Sequence, residues 1–166
     1  DFGSGSGAYT IATAKALIST GKVYAIDINK ELLNKVKNEG VKQGLYNIEV
    51  IWGDIDKSNG TKLRDFSVDM ALVCNILFQI ENREVLVREV RRVLKPGGRV
   101  LVVDWTDSFG GLGPKPQMIL KQTDAVEIFE KNGFITKLDF YVWNKVCQYQ
   151  KSRMEQGLEL IPISVN

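Results

Sequence analysis

The chain has 166 residues, 44% hydrophobic and 25% charged, with a formal net charge of +2. That suits one domain with a single sizeable core, and so small a charge gives no large field to draw nucleic acid or an anionic membrane surface. The composition contains no histidine, which excludes a Ser-His-Asp triad or a His-rich zinc site within this chain. The two cysteines, Cys74 and Cys147, lie far apart in unlike contexts, which fits free thiols and a cytoplasmic setting better than a disulfide scaffold. No apolar run approaches the roughly 18 residues of a membrane span.

The chain opens on DFGSGSGAYT. Glycines at 3, 5 and 7 let backbone come close to a ligand, and the helix that follows offers free N–H groups to an anionic group. Ala8 to Thr20 reads as that helix, with Ile11, Ala14, Leu17 and Ile18 on one face and Gly21 ending it. KVYAIDI, Lys22 to Ile28, is apolar at both parities, as in a strand covered on both faces. Asn29 reads as the N-cap of a helix running to about Gly44, with Leu32, Leu33 and Val36 inward. NIEVIWGD is a strand ending near Gly53, and Val68 to Val73 is another buried strand. Asn82 to Leu94 is an amphipathic helix striped by Leu86, Val90, Val93 and Leu94, with a Glu84–Arg88 pair outside. Pro96-Gly97-Gly98 stops it, and RVLVVDW follows as a strand. Residues 106–117 read as a Gly/Pro loop with the makings of a lid. A helix is expected from about Thr123 to Asn132, then strands Phe134–Val142 and Lys145–Gln150. The domain is expected to span residues 1–153, with a loose tail over 154–166.

Alternating strands and helices imply a doubly wound parallel α/β sheet, which binds ligands beyond the carboxyl ends of its strands. Asp27 ends a strand about 20 residues after the glycines, where a carboxylate accepts both hydroxyls of a ribose. Two cofactor classes satisfy this pair. Gly3, Gly5 and Ala8 fit the dinucleotide form G-x-G-x-x-G/A, and Tyr141 and Lys145 carry the Tyr-x-x-x-Lys spacing of an NAD-dependent oxidoreductase. That pair lies near the C-terminus, away from any helix beside a nicotinamide. The acid two places before Gly3 also stands where a dinucleotide turn has an apolar residue.

DFGSGSG resembles motif I of the class I S-adenosylmethionine (SAM)-dependent methyltransferases, whose pattern is acid-x-G-x-G-x-G. GDI at 53–55 resembles their third-strand motif, VDMALVCNILFQI their fourth, and RRVLKPGGRVLVVDW the helix-to-fifth-strand signature of the ubiquinone/menaquinone-biosynthesis-like branch. The resemblance covers roughly residues 1–140. It implies a Rossmann-like seven-stranded sheet in the order 3-2-1-4-5-7-6, with SAM as cofactor and S-adenosylhomocysteine as product. It also implies a role for each matching position. Asp1, Gly3, Ser4 and Gly5 hold the methionine end; Asp27 takes the ribose hydroxyls and Ile28 covers the adenine. Asp54 and Ile55 take the adenine's edge and face, and Cys74 and Asn75 floor the sulfonium. In that sheet the strand feeding motif I is central, so the chain is expected to be a fragment lacking most of its first strand.

Some positions depart from the family's patterns. Phe78 stands where many relatives have histidine. The Asn/Asp-Pro-Pro-aromatic motif of amino-directed nucleic-acid methyltransferases is replaced by CNIL, and an arsenite methyltransferase's cysteine cluster is missing. These departures point to a small-molecule acceptor, with no nucleic acid and no metal. Methyl transfer needs alignment in a dry site and no enzyme nucleophile. If the acceptor must lose a proton, the candidate base is Asp104, next to Trp105 at a strand end, with Tyr9 and Asp107 behind it. The bland alternative for Asp104 is an acid that caps the neighbouring loop. Trp105 and Phe109 are candidates for an apolar acceptor wall. A catalytically silent fold kept as a partner-binding subunit is the third functional reading.

Overall fold

The computed structural model describes residues 1–108 and 113–135. Its elements are α1 (Ala8–Ala16), β1 (Val23–Asp27), α2 (Lys30–Lys42), β2 (Ile48–Trp52), β3 (Val68–Cys74), α3 (Arg83–Val93), β4 (Leu94–Val103) and α4 (Gln122–Lys131), with a 3₁₀ turn at Pro116–Met118. The expected terminal strands, the 154–166 tail, Phe109, Tyr141, Lys145 and Cys147 fall outside the described residues, apart from Phe134 and Ile135.

Strands β1 and β2 pair in parallel from Val23 opposite Ile48 to Asp27 opposite Trp52. Strands β3 and β4 pair in parallel up to Cys74 opposite Val103. Phe2 joins the two pairs, bridging in parallel to Ile26 on one side and Val73 on the other. Its N–H donates to the Leu72 carbonyl at 2.9 Å, and Gly3 N–H donates to Ile26 at 2.9 Å. The order is therefore β2-β1-Phe2-β3-β4, every neighbour parallel. Phe2 is buried in the main core with Ile26, Val73, Leu77 and Val90. Burying an aromatic ring of this kind contributes on the order of 2 kcal/mol.

Helix α2 begins as expected: Asn29 Oδ1 accepts from Glu31 N–H at 2.9 Å and Leu32 N–H at 3.3 Å. Helix α1 is shorter than expected. It ends at Ala16, and Thr20 and Gly21 N–H both turn back to the Leu17 carbonyl. Ser19, Thr20 and Gly21 are weak helix formers, so the helix closes early. Ile18, expected on the inner face, is therefore 61% exposed. LKPGG also differs from its reading as a simple stop. Strand pairing has already begun at Leu94 opposite Val68 and resumes at Arg99 opposite Met70, so residues 95–98 bulge out opposite Asp69. Lys95 Nζ grips the Asp69 carboxylate at 2.8 Å. A Cβ on Gly98 would stand 2.9 Å from the Lys95 carbonyl oxygen, which the tight return does not allow.

Candidate functional site

The carboxyl ends of the strands bring the glycine turn, Asp27, Gly53–Ile55, Cys74–Asn75 and Asp104 to one edge of the sheet. The turn is built on β1: Gly3 and Ser4 N–H both donate to the Ile26 carbonyl at 2.9 Å, and Gly7 N–H returns to Ser4 at 2.8 Å. Gly3, Gly5 and Gly7 take φ of +70°, +53° and +91°, a left-handed backbone that costs an L side chain roughly 1–2 kcal/mol per residue. The first two glycines differ in their surroundings. A Cβ on Gly3 would lie 2.6 Å from Ile76 Cδ1, whereas one on Gly5 would have nothing within 4 Å. The turn is thus packed underneath and open at Gly5. Ser4 is 7% exposed, and among the described residues its Oγ has no hydrogen-bond partner. Gly7 caps α1 without a side chain, leaving the first N–H groups of the helix available beside the turn.

Asp27 ties the turn to the sheet. Its Oδ2 accepts Gly5 N–H at 2.8 Å and its Oδ1 accepts Asn29 N–H at 2.8 Å. Each oxygen keeps a second lone pair, so the carboxylate is oriented while retaining acceptor capacity. Asp1 is fixed by Thr10 of α1, whose buried hydroxyl donates to Asp1 Oδ2 at 2.6 Å. Beyond β2, Asp54 bonds Asp56 N–H at 3.1 Å and Lys57 Nζ at 2.8 Å. The Lys57 ammonium, followed by that N–H, holds its carboxyl below the ordinary range against some burial. Ile55 is buried, its Cδ1 lying under Gly3. Ile28, by contrast, is 64% exposed.

Beneath the turn, Cys74 and Asn75 are buried, and Asn75 has φ +54°. Burial pushes the Cys74 thiol up to about 11, so it is a neutral, inert wall. Tyr9 is partly buried beside Asn75, and burial raises its phenol too. Asp104 Oδ2 accepts Ile76 N–H at 3.1 Å and Leu77 N–H at 2.7 Å, while Oδ1 accepts Trp105 N–H at 2.8 Å. Burial lifts this carboxyl above its usual range, and the three N–H donors pull the other way. The geometry is that of an acid holding the 75–77 turn against the end of β4. Asp107 binds the neighbouring Ser108 N–H at 2.8 Å. Trp105 packs over Gly113, where a Cβ would meet its ring at 2.7 Å.

Sequence reasoning missed a buried ionic cluster on the far side of the 53–67 loop. Glu89 of α3 is 2% exposed. Its carboxylate accepts Asn59 N–H at 2.9 Å, Thr61 N–H at 3.1 Å, Thr61 Oγ1 at 2.6 Å and the Arg92 guanidinium at 2.7 and 2.9 Å. Arg92 also reaches the Leu63 carbonyl and Asp65. Burial works against the Glu89 charge, but Arg92 and Thr61 outweigh it and hold the carboxyl down at about 2. The signal was present: Glu89 falls inside the Leu86/Val90/Val93 stripe, with an arginine three residues on. Trp52 was missed as well. Its Nε1–H donates to the Ile28 carbonyl at 2.9 Å, and Lys30 and Lys62 stand 4.1 and 4.6 Å from the centre of its ring.

Comparison with known proteins decides between the two cofactor classes. Residues 1–102 match the family described as Methyltransferase domain. The chain belongs to that family. It is similar to class I SAM-dependent methyltransferases, among them proteins named for ubiquinone/menaquinone biosynthesis. The methyltransferase domain is 32% identical over 106 residues to the ubiquinone/menaquinone biosynthesis C-methyltransferase UbiE of Burkholderia multivorans, covering 64% of this chain and 42% of that protein. It is 32% identical over 100 residues to the demethylmenaquinone methyltransferase of Staphylococcus aureus, covering 60% and 39%. The chain thus spans about two-fifths of the length of these curated relatives. Among solved structures, a SAM-dependent methyltransferase from Aquifex aeolicus matches at 28% identity and a TM-score of 0.75, over 83% of this chain and 72% of that one. One from Mesorhizobium loti, at 14% identity and a TM-score of 0.70 over 96% and 85%, shows the shared fold.

The residues present fit SAM. The turn is open at Gly5, a buried serine hydroxyl in it has no partner among the described residues, and an oriented strand-end carboxylate stands beside it. None of this calls for a phosphate, and the cofactor carries none.

Proposed function

We propose that the protein is a SAM-dependent methyltransferase acting on a small-molecule acceptor. The contact that carries this reading is the 2.8 Å bond from Gly5 N–H to Asp27 Oδ2, which makes the glycine turn and the ribose acid one rigid unit. On this reading Asp1, Ser4 and the start of α1 hold the amino-acid end. Asp27 binds the ribose hydroxyls, Ile28 and Ile55 flank the adenine, and Asp54 meets its amino edge. Cys74 and Asn75 form the floor near the reacting centre. The full sheet follows the order 3-2-1-4-5-7-6, and the four described strands with Phe2 between them are in keeping with its first five places. The domain runs over 1–153 and works in the cytoplasm.

The bound cofactor supplies an electrophilic methyl on a sulfonium. The chain's own residues bind, orient and exclude water. Asp104 is proposed as a positioning residue rather than the base expected from sequence: its lone pairs are directed at three backbone N–H groups, and it fixes the turn that carries Asn75. The neutral Cys74 thiol keeps the floor free of a competing nucleophile. Since relatives are named for demethylmenaquinone and ubiquinone/menaquinone chemistry, a demethylated quinone ring is the first acceptor to try.

Calorimetric titration of the full-length protein with S-adenosylhomocysteine tests the reading. Saturable binding that Asp27→Ala abolishes or weakens at least tenfold, a loss of about 1.4 kcal/mol, is expected. Absence of binding, or binding indifferent to Asp27→Ala, refutes it. Cofactor binding with no methyl transfer across a broad acceptor screen favours the silent partner subunit instead.

A further inference from the structure

We infer that Glu89, on α3 and outside the strand-end motifs, is a positioning residue for the nucleoside half of the cofactor. The inference rests on the proposed role of Asp54 and Ile55 at the adenine. Residues 53–67 are a poor segment to leave to themselves. Asn59, Lys62 and Phe66 all sit at positive φ, +57°, +58° and +51°. Such residues persist only where the surroundings over-determine them. Glu89 supplies that determination, because its carboxylate takes the two N–H groups on either side of Gly60, those of Asn59 and Thr61, plus the Thr61 hydroxyl.

The constraint passes directly to the cofactor side. Gly60 lies so close over the Asp54 and Lys57 carbonyls that any Cβ there would collide with backbone, and Gly60 in turn covers Gly53. Holding Asn59 and Thr61 on α3 therefore holds Gly60 in place against Gly53–Asp54 and fixes the direction in which Asp54 and Ile55 leave the sheet. On the outer side the same loop sets Lys62 over Trp52, whose indole N–H holds the Ile28 carbonyl. One carboxylate thus sets both proposed adenine walls, Ile55 and Ile28. Fold stability alone does not call for a charge in this place, since well-packed apolar side chains commonly match or exceed a buried ion pair. What the carboxylate gives, and an apolar group cannot, is a fixed loop shape.

The test uses the full-length protein and two probes, S-adenosylhomocysteine and 5′-methylthioadenosine, which keeps the nucleoside and lacks the amino-acid end. Titrations are run well below the melting temperature of each variant. Glu89→Gln and Glu89→Ala are expected to weaken both probes by the same factor, on the order of tenfold, the usual size of coupling between two sites. They should also speed amide exchange at Asn59 and Thr61. Arg92→Lys, which leaves the carboxylate in place, is expected to retain most of the affinity, and Glu89→Gln serves if Glu89→Ala fails to fold. Variants that melt earlier yet bind both probes as wild type does overturn the inference, as does weakened S-adenosylhomocysteine with unchanged 5′-methylthioadenosine. If the wild-type protein binds neither probe, the cofactor reading itself falls and takes the inference with it; Asp27→Ala sensitivity with Glu89 indifference removes only the inference.

Discussion

Replacing Gly3 and Gly5 separately by alanine divides the cost of the turn's backbone from the cost of filling its open side. Both substitutions place an L residue at positive φ, +70° and +53°, for roughly 1–2 kcal/mol each. Gly3→Ala adds a second penalty, because its Cβ would come within 2.6 Å of Ile76 Cδ1 and 3.0 Å of Ile76 Cγ1. Displacing that half-buried side chain, which packs against the core, costs up to about 1–3 kcal/mol more. Gly3→Ala should therefore lose about 2–5 kcal/mol. Gly5→Ala, with nothing within 4 Å of its Cβ, should lose only about 1–2 kcal/mol. Ligand binding should rank the other way once folded protein is compared: the Gly5 methyl projects into the open side of the turn and should weaken S-adenosylhomocysteine at least tenfold, about 1.4 kcal/mol. Urea unfolding gives the stabilities and calorimetry on the folded fraction gives the affinities. Equal destabilisation by the two alanines, or full affinity in Gly5→Ala, would refute the division of labour.

Acid titration offers a separate check on the buried cluster. With its folded carboxyl held at about 2 against an ordinary 4.5, Glu89 contributes stability that is complete above the ordinary value and lost as pH falls towards 2. The shift corresponds to about 3 kcal/mol, so wild type should lose that much more than Glu89→Gln between pH 5 and 2; parallel curves would argue against it. Cys74, pushed up to about 11 by burial, should react with a thiol reagent at pH 8 only as fast as the protein opens. In a Cys147→Ser background, labelling as fast as a free peptide thiol would contradict that. Asp104→Asn turns one acceptor oxygen into a donor facing backbone N–H groups and should cost about 1–3 kcal/mol, read from the shift in urea midpoint. Loss of methyl transfer without loss of stability would instead restore Asp104 as a proton acceptor.

Much of the local geometry at the strand ends was legible because several of the residues there do a backbone job that suits their type. Glycines at positive φ, an Asn N-cap and a strand-end aspartate leave marks in sequence that need no tertiary knowledge. The α/β class was legible from resemblance, and the short parallel ladders of the described strands agree with periodicity. What escaped was non-local. Glu89 looks like an interruption of an apolar stripe until Asn59 and Thr61 arrive from 30 and 28 residues away. The exposure of Ile18 turns on where α1 happens to end. Asp104 read equally well as base or cap, because sequence shows the carboxylate and not the three amides directed at it.

Phe2 holds the centre of the described sheet and leads straight into the glycine turn. It is the one described residue through which the pair β1/β2 touches the pair β3/β4 by strand bridges, and the glycine turn starts at the next residue. On the proposed reading the first pair carries the nucleoside and the second faces the reacting centre. Backbone at Phe2 and Gly3, bonded to Leu72 on one side and Ile26 on the other, sets the direction of the turn from both pairs.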